Sequence, residues 1–89
     1  MNDCASLPKL KELNIPYYVQ IYDIIYERIS SGALKEGDTI PGENALAAYW
    51  NVSRSTIRLA VRKLEEDGLI YKMQGKKTTV TGQMERSRT

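Results

Sequence analysis

The chain has 89 residues, of which 42% are hydrophobic and 27% charged, and its formal net charge is +2. A chain of this length fits one domain with a small core, since only about 60–65% of the unfolded surface can be buried. The single cysteine, Cys4, excludes an intramolecular disulfide, and the lack of histidine argues against a zinc site or a histidine-dependent catalytic centre.

Other absences from the sequence narrow the class of protein further. No run approaches the ~20 apolar residues of a membrane span, and residues 1–14 lack the apolar stretch of a signal peptide. With the lone cysteine, this favours a reducing cytoplasm. The sequence shows no nucleophile–base pair and no cluster of metal ligands, so we expect neither an enzyme nor a bound cofactor.

Charge is distributed unevenly along the chain. Residues 1–50 carry four Lys/Arg against seven Asp/Glu, a net charge of −3. Residues 51–81 carry seven against three, a net charge of +4, and residues 82–89 contribute +1. The concentration of positive charge after residue 50 is typical of a surface that binds a polyanion.

The first helix is predicted to begin after Pro16. The preceding residues 1–15 have no firm period and are interpreted as a flexible arm. From Tyr17 onward apolar residues recur at helical spacing, and Ser31 and Gly32 end the run. The stripe expected to face the core contains Tyr18, Ile21, Tyr22, Ile25 and Ile29.

A tight connection and a short second helix come next. Residues 32–42 contain three glycines and a proline, which predicts a defined turn rather than a linker. The second helix is predicted from Glu43 to about Trp50. The core residues expected from these two segments are Ala33, Leu34, Ile40, Leu46, Ala47 and either Tyr49 or Trp50.

The third helix is predicted to follow a turn at residues 51–53, where Asn51 tolerates a left-handed backbone. Ser53 is a good N-cap, and Gly68 supplies the left-handed stop. A core stripe is expected at Ile57, Ala60, Val61 and Leu64. A separate cationic row contains Arg54, Arg58 and Arg62, with Ser55 and Thr56 in the first turn.

Two helices joined by so short a turn form a helix-turn-helix. A second helix that opens with short hydroxyl residues and arginines suits the DNA major groove. The alternative interpretation is a solvated basic surface on an ordinary core helix.

Two strands are predicted after the third helix, at residues 69–73 and 78–81, with a turn at residues 74–77. A hairpin with a basic tip directly after a helix-turn-helix is the wing of a winged helix. The alternative role of Lys76 and Lys77 is edge protection or solubility. The predicted fold is therefore α+β, mainly α: a winged helix-turn-helix with three helices and a two-stranded β-hairpin wing over residues 16–82. Residues 83–89 are interpreted as a flexible tail or the start of a linker.

An ordered set of motifs covers about residues 16–81. It comprises Pro16-Tyr17-Tyr18-x-Gln20-Ile21; Ile29-x-x-Gly32-x-Leu34-x-x-Gly37-x-x-Ile40-Pro41-x-Glu43-x-x-Leu46-Ala47; Val52-Ser53-Arg54-x-Thr56-x-Arg58; and Leu64-Glu65-x-x-Gly68-Leu69-Ile70-x-x-x-x-Gly75. With these spacings the set resembles the N-terminal DNA-binding domain of the GntR family of bacterial transcription regulators, and it is specific because all its spacings agree.

The resemblance implies a winged helix that binds a pseudo-palindromic operator in double-stranded DNA as a homodimer. It implies DNA contacts by Arg54, Thr56 and Arg58 and a position for Gly75 in the minor groove. Members of the family also carry a C-terminal domain for dimerisation and a small-molecule effector. Nothing in the 89 residues resembles that domain, so the chain is interpreted as a fragment of a longer regulator or, alternatively, a stand-alone DNA-binding protein.

Four positions depart from the family pattern. Asn44 stands where the family usually has an arginine, and Lys77 replaces a second wing glycine. Thr79 replaces a common aromatic residue, and Leu59 replaces a common acidic residue on a face away from the core.

The leading functional hypothesis is sequence-specific binding of double-stranded DNA as the operator-reading module of an effector-responsive regulator. The alternative is a winged-helix protein-interaction module, with Leu59 and the tyrosines as contacts. Arg54, Thr56 and Arg58 favour DNA, because an interaction module has no need for all three. The predicted DNA-binding residues are Ser53, Arg54, Ser55, Thr56, Arg58, Arg62, Gln74, Gly75, Lys76, Lys77 and Thr78.

Overall fold

A computed structural model describes residues 7–12, 14–72 and 77–81 of the chain. Three helices precede two antiparallel strands, which is the predicted winged helix-turn-helix architecture. Within the described part, no helix is both long and apolar enough to span a lipid bilayer. The elements are α1 (Tyr17–Ser30), α2 (Glu43–Trp50), α3 (Arg54–Glu66), β1 (Ile70–Lys72) and β2 (Thr78–Val80).

The core forms where α1 packs across α3 and where α2 and the strands close the sides. Each helix contributes residues spaced three or four apart, as the apolar periodicity predicted. Val61, Tyr18 and Tyr22 lie at the edge of this core and are only half-buried. The fully buried large side chains are Ile21, Ile25, Leu46, Ile57, Leu64, Ile70 and Val80.

The prediction that Ala33 contributes to the core is wrong, because Ala33 is exposed. The reason lies in how α1 ends. Gly32 adopts a left-handed φ of 90°, and the chain turns back so that Leu34 N–H donates to the Arg28 carbonyl at 2.9 Å. In this turn Leu34, two residues beyond the glycine, comes back against the end of α1, and Ala33 between them is left in solvent. Leu34 is accordingly the half-buried one.

The turn between α2 and α3 has the predicted geometry. Asn51 adopts a left-handed φ of 57°, and Val52 N–H donates to the Ala47 carbonyl at 3.0 Å. The Ser53 hydroxyl then accepts from the Thr56 N–H at 3.2 Å and caps α3. At the other end of α3, Gly68 has the expected positive φ of 77°. Both ends of α3 are therefore set by residues within a few positions of the helix.

The sheet contains a contact that the sequence did not predict. The register of β1 and β2 pairs Ile70 with Val80 and Lys72 with Thr78. On the other edge of β2, the loop before α2 lies alongside it. The hydrogen bonds of this loop are Gly37 N–H to Val80 O at 2.9 Å, Val80 N–H to Asp38 O at 2.8 Å and Ile40 N–H to Thr78 O at 3.0 Å. Both edges of β2 are thus paired, which ties the wing to the start of α2.

Residues 7–12 include contacts with the folded domain, although the sequence predicted a flexible arm up to residue 15. Leu7 is only 9% exposed and belongs to the core cluster. Its carbonyl accepts from the Tyr49 hydroxyl at 2.6 Å, and the Pro8 carbonyl accepts from the Trp50 indole N–H at 2.9 Å. Leu7 and Pro8 therefore contact α2, while the mobility of residues 1–15 stays a prediction.

Candidate nucleic-acid interface

Helix α3 has a buried side and an exposed side. Ile57, Ala60 and Leu64 are completely buried, which fixes the rotation of the helix about its axis. The side chains of α3 that are exposed to solvent are Arg54, Ser55, Arg58, Leu59, Arg62, Lys63, Glu65 and Glu66. The first two turns therefore present two arginines and a serine to a partner while their opposite side holds the domain together.

The hydroxyls at the start of α3 are partly engaged within the protein. The Ser53 Oγ that accepts from the Thr56 N–H also lies 3.0 Å from the Thr56 Oγ1. This pair completes the helix cap and holds the first turn in place. Ser53 thus has the structural role that the sequence predicted, and contacts of Ser53 and Thr56 with DNA stay a prediction.

Arg58 forms an ion pair with Glu43, the first residue of α2. The Arg58 Nε lies 3.1 Å from both carboxylate oxygens of Glu43, and the two side chains are 59% and 30% exposed. A pair this accessible to water adds little to stability. Its geometric effect matters more: Glu43 engages the Nε position, so the two terminal Nη groups are not used in this pair. Those are the donors a guanidinium needs for a bidentate contact with guanine.

Arg54 is held in a similar way by the next residue of α2. Its Nη1 donates to the Asn44 Oδ1 at 3.2 Å. An arginine at position 44, as the family pattern has it, offers no acceptor and would repel Arg54. The N-terminal ends of α2 and α3 are therefore in contact. The first two residues of α2, Glu43 and Asn44, bind Arg58 and Arg54 in the first two turns of α3. Neither Glu43 nor Asn44 was among the predicted site residues, since they lie 15 and 10 positions from their partners.

A cleft of about 390 Å³ separates α3 from the strands and the start of α2. Its cationic members are Arg58, Arg62, Lys72 and Lys77, against the carboxylates of Glu43 and Glu65. The excess of positive charge in a concave surface raises the local concentration of anions. Lys72 was not a predicted site residue. Only the net positive charge of residues 51–81 could have indicated it, because it belongs to no motif.

The structure brings some of the predicted wing residues to this cleft. Lys77 is exposed and Thr78 half-buried, and both line it. The predicted contacts of Gln74, Gly75 and Lys76 fall outside the described residues. Among those that are described, no group of three or more His, Cys, Asp or Glu side chains is placed to hold a metal ion.

A separate contact anchors the far end of α3. The hydroxyl of Tyr22 on α1 donates a short hydrogen bond to the carboxylate of Asp67, which caps α3. Burial and this hydrogen bond together raise the pKa of Tyr22 to about 12, because both favour the neutral phenol. The pair links α1 to the C-terminal end of α3, on the side of the helix away from the cleft.

Comparison with known proteins identifies relatives over most of the chain. The chain is 46% identical over 65 residues to the mannosyl-D-glycerate transport/metabolism system repressor MngR of Escherichia coli K12, covering 73% of this chain and 27% of MngR. It is 39% identical over 72 residues to the arabinose metabolism transcriptional repressor of Geobacillus stearothermophilus, covering 81% of this chain and 20% of that repressor. The chain thus spans only about a fifth to a quarter of the length of these curated relatives. They are named as repressors, in agreement with the expectation that the chain is not an enzyme.

Solved structures of related proteins have the same fold as this chain. The DNA-binding domain of AraR in complex with operator ORX1 matches with a TM-score of 0.78 and 35% identity, over 84% of this chain and 96% of that domain. YtrA from Sulfolobus acidocaldarius, a GntR-family transcription factor, matches with a TM-score of 0.80 and 33% identity, over 93% of this chain and 88% of YtrA. The family model for bacterial regulatory proteins of the gntR family matches residues 17–80. The chain belongs to the GntR family of bacterial regulatory proteins.

Proposed function

We propose that this domain binds double-stranded DNA sequence-specifically, with the N-terminal turns of α3 in the major groove. The observation that carries the proposal is the exposed row of Arg54, Arg58 and Arg62 on a helix whose other side is locked in the core. Arginine is the side chain that most often reads guanine through O6 and N7. The similarity to the AraR domain solved with its operator supports the same mode of binding.

The wing is proposed to contact DNA beside α3. Lys72 and Lys77 line the cleft between α3 and the strands, so a DNA backbone that follows this cleft passes both ammonium groups. Gln74, Gly75 and Lys76 are predicted from the sequence to form the wing tip, where Gly75 would allow close approach to a minor groove. Contacts with phosphates set affinity and register but carry no sequence information.

The complete regulator is proposed to act in the bacterial cytoplasm as a homodimer on a pseudo-palindromic operator, under the control of a small-molecule effector bound outside residues 1–89. The lengths of the relatives support this, since this chain matches only 20% and 27% of two of them. Sedimentation of the full-length protein and of residues 1–89 at micromolar concentration tests it. A dimer and a monomer, respectively, are expected. Dimeric residues 1–89 would place an association surface within this domain.

The test of DNA recognition is the substitution Arg58→Ala. The operator is first identified by selection of genomic fragments with the full-length protein, and affinity is then measured for operator and scrambled DNA. Loss of a bidentate contact with guanine should weaken operator binding by about 1–3 kcal/mol. Binding to scrambled DNA should fall much less, because only the phosphate contribution of the charge is lost.

Lys63→Ala is the matched control, since Lys63 lies on the same helix but lines a shallow surface with Tyr18 and Tyr22 of α1. It removes the same charge on the side away from the cleft and should leave the specificity ratio unchanged. Equal effects of the two substitutions, or failure to select any DNA, would support the alternative of a protein-interaction module.

The wing is tested with the double substitution Lys76→Ala and Lys77→Ala. Operator and random DNA should be bound more weakly by similar factors. The plot of log affinity against log salt should flatten by up to about two units, because each neutralised phosphate contributes ~0.9. If these lysines serve only solubility or edge protection, the slope will not change.

A further inference from the structure

Leu59 is an exposed leucine at an unusual place. A single leucine on a protein surface is ordinary and by itself indicates nothing. Leu59, however, is 38% exposed on the side of α3 opposite the buried residues Ile57, Ala60 and Leu64. It is the sixth residue of the helix and therefore lies in the second turn, within the part that is proposed to enter the major groove.

The neighbours of Leu59 on α3 are polar or cationic. Ser55 is one turn before it, and Arg62 and Lys63 are about one turn after it, so helical spacing places them around Leu59 on the exposed part of the helix. Arg58 precedes it and turns to the cleft with Glu43. Arg62 also lines this cleft, whereas Leu59 does not, so Leu59 is exposed beside the arginine row rather than toward the wing.

The charges around Leu59 favour one kind of partner. An apolar protein surface that covered Leu59 would also remove water from the neighbouring charged groups of Arg62 and Lys63, which is costly without counter-charges. A DNA groove supplies phosphates for those charges. It also offers an apolar group at a base edge, the C5-methyl group of thymine.

We propose that Leu59 is a specificity-determining residue that contacts the C5-methyl group of a thymine in each operator half-site. The inference deepens the proposed DNA-binding function and rests on it. In the proposed arrangement, Arg54 and Arg58 recognise hydrogen-bonding base edges and Leu59 recognises a methyl group beside them. The leucine that departs from the family pattern thereby adds a preference for thymine.

The experiment uses the full-length protein and its selected operator, in which each thymine is replaced in turn by uracil. Uracil forms the same base pair and lacks only the methyl group. At one thymine position per half-site, the replacement should weaken wild-type binding by about fourfold, the effect of removing one buried methyl or methylene contact. At the other thymines, affinity should change little.

The variant Leu59→Ala completes the test. Because Leu59 is exposed, this substitution should leave the fold intact, and the variant should bind thymine and uracil operators equally well at that position. Lys63→Ala, one turn from Leu59 but at the shallow surface formed with Tyr18 and Tyr22, should keep the fourfold preference. An operator on which no thymine-to-uracil change affects wild-type binding, or a Leu59→Ala variant that keeps the preference, would overturn the inference while leaving the DNA-binding function in place. Failure to select any operator would instead overturn the function itself. A change in oligomeric state with Leu59→Ala, at an unchanged preference for thymine, would identify Leu59 as a protein contact.

Discussion

The two ends of α3 are held by different kinds of contact. At the N-terminal end, Arg54 and Arg58 meet Asn44 and Glu43 through exposed hydrogen bonds that water or DNA can replace. At the C-terminal end, Leu64 is completely buried, and Asp67 accepts the hydrogen bond from Tyr22. One end anchors the helix in the domain and the other presents donors to a ligand. Because the buried C-terminal end stabilises the helix, the hydrogen bonds at the N-terminal end can be replaced by a ligand without loss of the fold.

The largest effect is expected from Leu64→Ala, which removes a buried side chain from the anchored C-terminal end of α3. Removing a fully buried leucine costs about 2–5 kcal/mol of unfolding free energy, a large part of the stability of a small domain. Urea unfolding measures it. Leu59→Ala removes the same atoms from an exposed position on the same helix and should change stability by no more than about 0.5 kcal/mol. Similar losses for the two leucines would mean that α3 is not anchored as described.

A smaller effect is expected from Tyr22→Phe, which removes only the hydrogen bond to Asp67. The loss should be about 1 kcal/mol of unfolding free energy at pH 8. Because the pKa of Tyr22 is raised from 10.0 to about 12 in the folded protein, its contribution is complete below pH 10 and is lost as pH rises toward 12. The gap between wild type and variant should therefore shrink in urea unfolding at pH 10, 11 and 12.

Tyr71→Phe is the control for this pH series. Tyr71 is exposed on β1, and its substitution should leave the unfolding free energy within about 0.5 kcal/mol of wild type. A Tyr22→Phe loss of the same size at pH 8 and pH 12 would show that the contact with Asp67 is not what stabilises this end of α3.

The smallest effect is expected from Glu43→Gln, which removes the carboxylate that pairs with Arg58 near the N-terminal end of α3. Without the carboxylate, Arg58 is less well oriented, so the ratio of operator to scrambled-DNA affinity should fall by a few-fold, in line with the ~0.2–1 kcal/mol of an exposed ion pair. Affinity for scrambled DNA should rise, because a negative charge leaves a cationic face. Fluorescence anisotropy with both DNAs measures the two quantities.

Glu65→Gln removes the same charge from the same cleft but from a residue other than the partner of Arg58. It should raise affinity for scrambled DNA similarly and keep the specificity ratio. If the two variants behave alike, Glu43 acts only through its charge and does not orient Arg58.

Features that depend on neighbours within a few positions could be predicted from the sequence. The bounds of α2, the cap at Ser53 and the left-handed backbone at Asn51 and Gly68 were all predicted, because caps and turns are set by local hydrogen bonds and sterics. The exposed arginine row was predicted for the same reason, since helical periodicity assigns each residue to a face. The candidate interface was therefore visible in outline as a set of residues on α3.

Contacts between residues far apart in the sequence became apparent only from the packing of the folded domain. The pairing of Gly37–Ile40 with β2, the burial of Leu7 against the core and the contacts of Glu43 and Asn44 with the arginines of α3 join residues 10 or more positions apart. Ala33 is exposed and not in the core as predicted, because of the geometry of the turn that ends α1. Such contacts produce no repeating pattern of apolar residues in the sequence, because they depend on how whole elements pack rather than on the conformation of a single segment.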